Sequence, residues 1–214
     1  MLDFLQRSEL MTALAPLHIP ADIESQTLAL AEAYELSVSE KQLKKYSIVG
    51  LVMAVDSYRH VSPKLQVLIA LYTTLAAMLD DGEVLPLKAI STFPQRFFDG
   101  LPQLHPVLAG FTKALASLRE YYAPFSATII TTNAVEFISA EMLVRDEELE
   151  GRPDAYDMAA GYAEWLRPKN GLGDLYAVLI WPRDQFPQSK TYIQAIPCVL
   201  AVLKSQLSDY VCSI

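Results

Sequence analysis

Asp80, Asp81 and Glu83 are the residues whose type and spacing point most directly to chemistry, and they close a long apolar stretch, SPKLQVLIALYTTLAAMLDDGE, running from Ser62 to Glu83. Carboxylates are the hard oxygen donors that Mg²⁺ prefers, and Mg²⁺ held this way keeps several waters while bridging to phosphate oxygens. Asp80 and Glu83 stand three apart, on one helical face. Acids at a helix C-terminus sit at the negative end of the macrodipole, where each is disfavoured by roughly 0.3–1 kcal/mol. A divalent cation is the natural offset; a solvated helix end is the alternative. Looking back along the same face from Asp80, Ala77, Ala76, Thr73 and Tyr72 are small or aromatic. Such residues either wall a cavity or admit a close helix neighbour, and Asn133 and Phe137 are further candidates for the cavity wall.

The second constellation is WLRPKNGLGD, in which Arg167, Lys169 and Asn170 precede a glycine-bearing turn that opens a short helix. A guanidinium grips phosphate oxygens in pairs, and a helix N-terminus adds backbone donors. Together they form a candidate diphosphate-binding set in a chain short of positive charge. The alternative is a helix C-cap, with basic residues answering the dipole and Asn170 and Gly171 making the turn. His60 and His105 lie at loop boundaries and suit surface or capping roles. Asp146, Glu147, Glu148 and Glu150 read as a solvated helix end. No GxSxG arrangement supports hydrolase chemistry.

The elements that must position these residues are helical. Ser62 suits an N-cap and Pro63 a first helical position, and Gly82 and Pro86 end the apolar run. Residues 2–17 and 23–36 predict two surface helices, and 39–60 a helix capped by Ser39 that passes from a charged half into buried IVGLVMAV. Pro86, Pro94, Pro102 and Pro106 restrict the next region to a short helix near Ile90, a turn and a loop. Helices follow over 107–122, 126–150, 154–166 (stopped by Pro168) and 175–181, then a last amphipathic helix over 189–214 kinked at Pro197. Nothing alternates with period two for long enough to make a strand. The pattern is all-α in one domain over 1–214.

With 214 residues, 52% of them hydrophobic and 20% charged, the chain can bury a large core. A formal net charge of -8 argues against nucleic acid or an anionic membrane surface as partner, since both call for a basic patch. The two cysteines, Cys198 and Cys212, show neither a disulfide framework nor zinc-ligand spacing, so a reducing, cytoplasmic setting is expected. The N-terminal MLDFLQRSEL lacks the basic and apolar regions of a secretory signal, and no apolar run is expected to reach the roughly 18 to 20 residues of a membrane span.

From about Tyr46 to Trp181 the chain resembles the fungal trichodiene synthase family of class I sesquiterpene cyclases. The resemblance is carried by GLVMAVDSYRHVS, LYTTLAAMLDD, RPKNGLG and WPRDQF in that order, the last two being the more specific. It implies a class I terpene synthase α-helical bundle, an aspartate-rich motif binding Mg²⁺, and an arginine sensing the same diphosphate. It implies ionisation of farnesyl diphosphate and cyclisation of the allyl cation in an apolar pocket. By position, Asp80 matches the metal-binding aspartate, Asp81 its neighbour and Arg167 the sensing arginine. A prenyl diphosphate or a terpenoid is the implied small-molecule partner.

Two departures qualify this. The family's third acid falls four residues after the first, where Val84 stands, so Glu83 is an off-register substitute. The second metal motif, NDxxSFYKE, is expected at the end of the last helix, where QLSDYVCSI stands; Ser208, Asp209 and Cys212 are at most a degenerate version, and the bundle reads as truncated. Half a metal cage leaves the diphosphate charge partly neutralised and Mg²⁺ weakly held or lost. Missing wall helices would expose an apolar face, for which a homodimer is one cover. Three readings stay open: a Mg²⁺-dependent cyclase, a pocket protein that binds a terpenoid or steers a later ring- or C–N bond-forming step without ionisation, and an inactive homologue.

Overall fold

In the computed structural model the described residues are 18–146, 159–170 and 172–201, the side chains at positions 159, 160, 163, 167 and 170 excepted. Ser208, Asp209 and Cys212, the expected helix over 2–17 and the acidic run from Glu147 to Glu150 lie outside them. Among the described residues there is no strand, and the elements in order are α1 (Ala21–Ala33), α2 (Glu40–Ser57), α3 (Pro63–Leu79), α4 (Leu87–Ser91), α5 (Phe93–Phe98), α6 (Pro106–Arg119), α7 (Pro124–Val144), α8 (Ala159–Asn170) and α9 (Gly173–Val178). The all-α expectation holds.

Local chemistry explains the starts of the long helices. Ser39 caps α2 in a reciprocal capping box with Gln42, satisfying two otherwise unpaired N–H groups. Ser62 accepts from Leu65 N at the head of α3, with Pro63 in its first turn. His105 caps α6, its Nδ1 accepting from Val107 N at 3.3 Å, which is the capping role its position suggested. The core follows α3, buried from Leu65 to Leu79 almost without a break, and α1, α2 and α6 pack round it. At the α2–α3 crossing a Cβ on Gly50 would meet Ala70 O and Thr74 Oγ1 well inside van der Waals distance, so only glycine lets the two backbones come so close. α7 is the second axis, packed against α4, α5, α6, α8 and α9.

Four expectations are corrected. Residues 93–98 form a helix rather than a turn, because Pro94 falls in its first turn, where proline is tolerated. α8 runs through Pro168 to Asn170; the proline lies in the last turn and removes a single N–H. The last helical segment begins only at position 196, after a 3-10 turn at Ser189–Thr191, so Pro197 lies near a helix start and makes no kink. The ring of Tyr192 explains the delay: it stacks on Trp181 with centroids 5.1 Å apart and its hydroxyl bonds Ser126 Oγ at 2.7 Å, which holds 189–195 as turns. Finally, α7 at 21 residues is long and apolar enough to cross a membrane by length and composition, contrary to expectation, although it packs here as a core helix with Glu141 buried in it.

Candidate functional site

Asp80 is the C-cap of α3, its N–H bonded to Ala76 O at 3.1 Å and its side chain exposed. The residues after it do not present three parallel carboxylates. Asp81 is engaged within the fold: the Tyr46 hydroxyl donates to Oδ2, the Glu83 N–H donates to Oδ1 at 2.9 Å, and Lys45 Nζ stands 3.6 Å from Oδ2. These donors, the Tyr46 hydroxyl first, hold its carboxyl below the ordinary aspartate range. Glu83 is exposed at the turn beside Gly82. Among the described residues no three His, Cys, Asp or Glu side chains converge as a metal-ligand group.

What faces Asp80 comes from α7. Glu141 is 2% exposed, and its carboxyl lies within hydrogen-bond reach of the Asp80 carboxylate. Burial first, and Asp80 second, push it up to about 7 from the ordinary glutamate value. Arg145, one turn on, bonds Glu141 Oε2 through NH2 at 3.1 Å. The same guanidinium donates to Leu79 O and, at 2.9 Å, to Leu85 O. The carbonyls at the C-terminus of α3 therefore have a cation from a distant helix, and part of the offset that the acidic helix end invited comes from Arg145.

The donor chemistry still suits a divalent cation at Asp80. Two carboxyls that face each other at the negative end of a helix would be relieved by a hard cation between them. The geometry brings Asp80 and Glu141 together, while Asp81 is engaged by Tyr46 and Lys45 and Glu83 is exposed.

Of the candidate pocket residues, Tyr72 is wholly buried and stacks on Phe111 of α6, centroids 5.1 Å apart. Its hydroxyl is buried without a hydrogen-bond partner among the described residues. Thr73 faces α9, where the Tyr176 hydroxyl donates to Thr73 Oγ1 at 3.0 Å. Ala76 is buried and Ala77 half-buried. Asn133 Oδ1 accepts from Leu175 N at 3.1 Å, pairing one of the free donors of α9's first turn. Phe137, one turn along α7, is buried. Asn133, Phe137, Glu141 and Arg145 recur every four residues, so one stripe of α7 runs from α9 to the acidic end of α3. Glu141 and Arg145 were missed from sequence, yet extending the Asn133, Phe137 spacing twice reaches them.

The side chains of Arg167 and Asn170 lie outside the described set. Lys169 in the last turn of α8 bonds Glu136 Oε1 at 2.6 Å and sits 4.9 Å over the Trp165 ring. The turn after α8 places Leu172, at φ 51°, in the left-handed region, where a residue with a Cβ costs about 1–2 kcal/mol. WPRDQF serves as scaffold: Arg183 bonds Tyr121 O through its N–H at 2.7 Å and Glu120 O through its side chain at 3.1 Å, and Gln185 Nε2 donates to His60 O at 2.9 Å.

Comparison with known proteins finds relatives over most of the chain. The family model for trichodiene synthase matches residues 27–212. A monoterpene synthase of Postia placenta is 30% identical over 161 residues, covering 74% of this chain and 48% of that protein. Terpene synthase BipA of Cochliobolus sativus is 27% identical over 85% of this chain and 55% of its own length. A trichodiene synthase of Stachybotrys chartarum is 26% identical over 74% of this chain and 40% of its own length. The chain thus spans about half the length of these relatives.

Proposed function

The chain belongs to the trichodiene synthase family, and on that footing we propose that it is a single α-helical domain that binds a prenyl diphosphate, farnesyl diphosphate in the first instance, and cyclises it with loss of diphosphate. The observation that carries this reading is the meeting of Asp80 and Glu141 at the end of the buried helix α3. Mg²⁺ bound there would supply positive charge to the departing diphosphate oxygens. Asp80 would hold it directly, Glu141 from the wall behind, and Asp81, already tied to Tyr46 and Lys45, would fix the turn. In the proposed step the allylic carbon–oxygen bond breaks with both electrons leaving on the diphosphate. The allyl cation is then attacked by a chain double bond and finally loses a proton. Arg167 and Asn170 are proposed for the diphosphate by their place in the family motif. Lys169 would join them only by leaving Glu136.

Incubation with farnesyl diphosphate and Mg²⁺, with pyrophosphate measured, tests the reading. Release that D80N abolishes is the expected result, and no release above buffer sinks it. The engagement of Asp81 and Lys169 within the fold favours a second reading, a terpenoid-binding protein that ionises nothing. A neutral terpenoid that raises the melting temperature, where Mg²⁺ with pyrophosphate does not, would select it.

A further inference from the structure

The turn that carries Asp80 is short of packing at its tip. Asp80 and Glu83 are exposed, and a Cβ on Gly82 would meet nothing within 4 Å. Within it Asp81 N bonds Met78 O at 3.3 Å, Glu83 N bonds Asp81 Oδ1 at 2.9 Å, and Val84 N and Leu85 N bond Asp81 O at 3.0 and 3.2 Å, while Tyr46 and Lys45 hold only the Asp81 carboxylate at its middle. A loop of this kind samples several arrangements unless its ends are fixed, and a misplaced ligand loses most of its affinity for a metal that demands near-octahedral geometry.

Both ends are fixed by one side chain. Arg145 donates to Leu79 O, immediately before Asp80, and to Leu85 O, where the chain re-enters the core. Its remaining reach goes to Glu141 Oε2, and its side chain is 13% exposed. A guanidinium can do this because its donors lie in one plane at fixed angles; an ammonium presents a single point and cannot span two carbonyls and a carboxylate.

We propose that Arg145 is a positioning residue for the acidic site: by bolting both ends of the turn 79–85 to Glu141, it sets where Asp80 can hold a cation, without itself touching the ligand. The inference rests on the reading of Asp80 as the cation-binding residue, but its geometric half stands apart from that reading and is tested apart from it.

The test uses the whole chain with R145Q and R145K, hydrogen exchange of backbone amides, and calorimetric titration with Mg²⁺ and inorganic pyrophosphate. In R145Q, the amides of Val84 and Leu85 should exchange at least about tenfold faster while those of α6, such as Leu115, keep their wild-type rates. Pyrophosphate affinity in Mg²⁺ should fall at least about tenfold, with R145K recovering part of the affinity and little of the exchange protection. Unchanged exchange at Val84 and Leu85, or equal acceleration in α6, overturns the proposal. If wild type binds no pyrophosphate with Mg²⁺, the cation reading of Asp80 fails and the exchange pattern alone decides whether Arg145 holds the turn. If R145Q does not fold, R145K decides, and wild-type exchange and affinity in R145K would overturn the proposal.

Discussion

A carboxyl with almost no exposed surface needs a partner for its charge or for its proton, and Glu141 has Arg145 for the first and Asp80 for the second. Because the folded protein raises Glu141 to about 7, it holds this proton more tightly than the unfolded chain does. The stability so contributed is fully present below the ordinary glutamate value and is lost as pH rises through 7. With about 1.4 kcal/mol per pH unit, the shift from 4.5 to about 7 amounts to about 3 kcal/mol in the metal-free protein. E141Q carries no such proton, so urea denaturation at pH 5 and pH 8 should show wild type losing stability relative to E141Q by most of that amount, about 2.5 kcal/mol. A constant difference between the two proteins across this range would refute the assignment. Asp80 was legible in the sequence because an acid after seventeen buried-helix residues is conspicuous. Glu141 was not, because the spacing that puts it on the face of Asn133 and Phe137 gives no sign of which distant helix end it meets.

At the level of elements, the helix starts were legible because caps are local. Ser39, Ser62 and Pro63 act within one turn of themselves, so their chemistry shows in the sequence. The start of the last helix was not, because Tyr192 is held by Trp181 and Ser126 from elsewhere in the chain. The α2–α3 pair depends on the same kind of distant contact through Gly50. Its missing side chain lets α2 rest on the backbone of α3 at Ala70, and backbone cannot yield as a flexible side chain would. G50A should therefore destabilise by about 3 kcal/mol, well beyond the ordinary cost or gain of alanine in a helix. The measurement is the denaturation midpoint, with G161A as control, since a Cβ at Gly161 meets nothing within 4 Å. A G50A protein as stable as wild type would mean that the crossing is looser than described.

For the whole molecule, the acidic site is where two axes of the fold meet at their ends. α3 brings Asp80 and α7 brings Glu141 and Arg145, more than sixty positions later. Sequence spacing within one motif could not bring Glu141 and Arg145 to Asp80, which is why the cluster Asp80, Asp81, Glu83 did not include them. The net charge of -8 adds nothing local to relieve the pair, so a cation should stabilise the whole fold in proportion to how far both carboxyls are ionised. At ten times its dissociation constant a single-site ligand contributes about 1.4 kcal/mol, and in a chain of this size that corresponds to about 3–6 °C in melting temperature. Mg²⁺ should thus raise the melting temperature by several degrees at pH 8 and by much less at pH 5, where Glu141 keeps its proton and the site is half discharged. D80N should abolish the difference between the two pH values. Equal shifts at both pH values, or a shift that survives D80N, would place the cation elsewhere on the acidic surface and separate Asp80 from the metal.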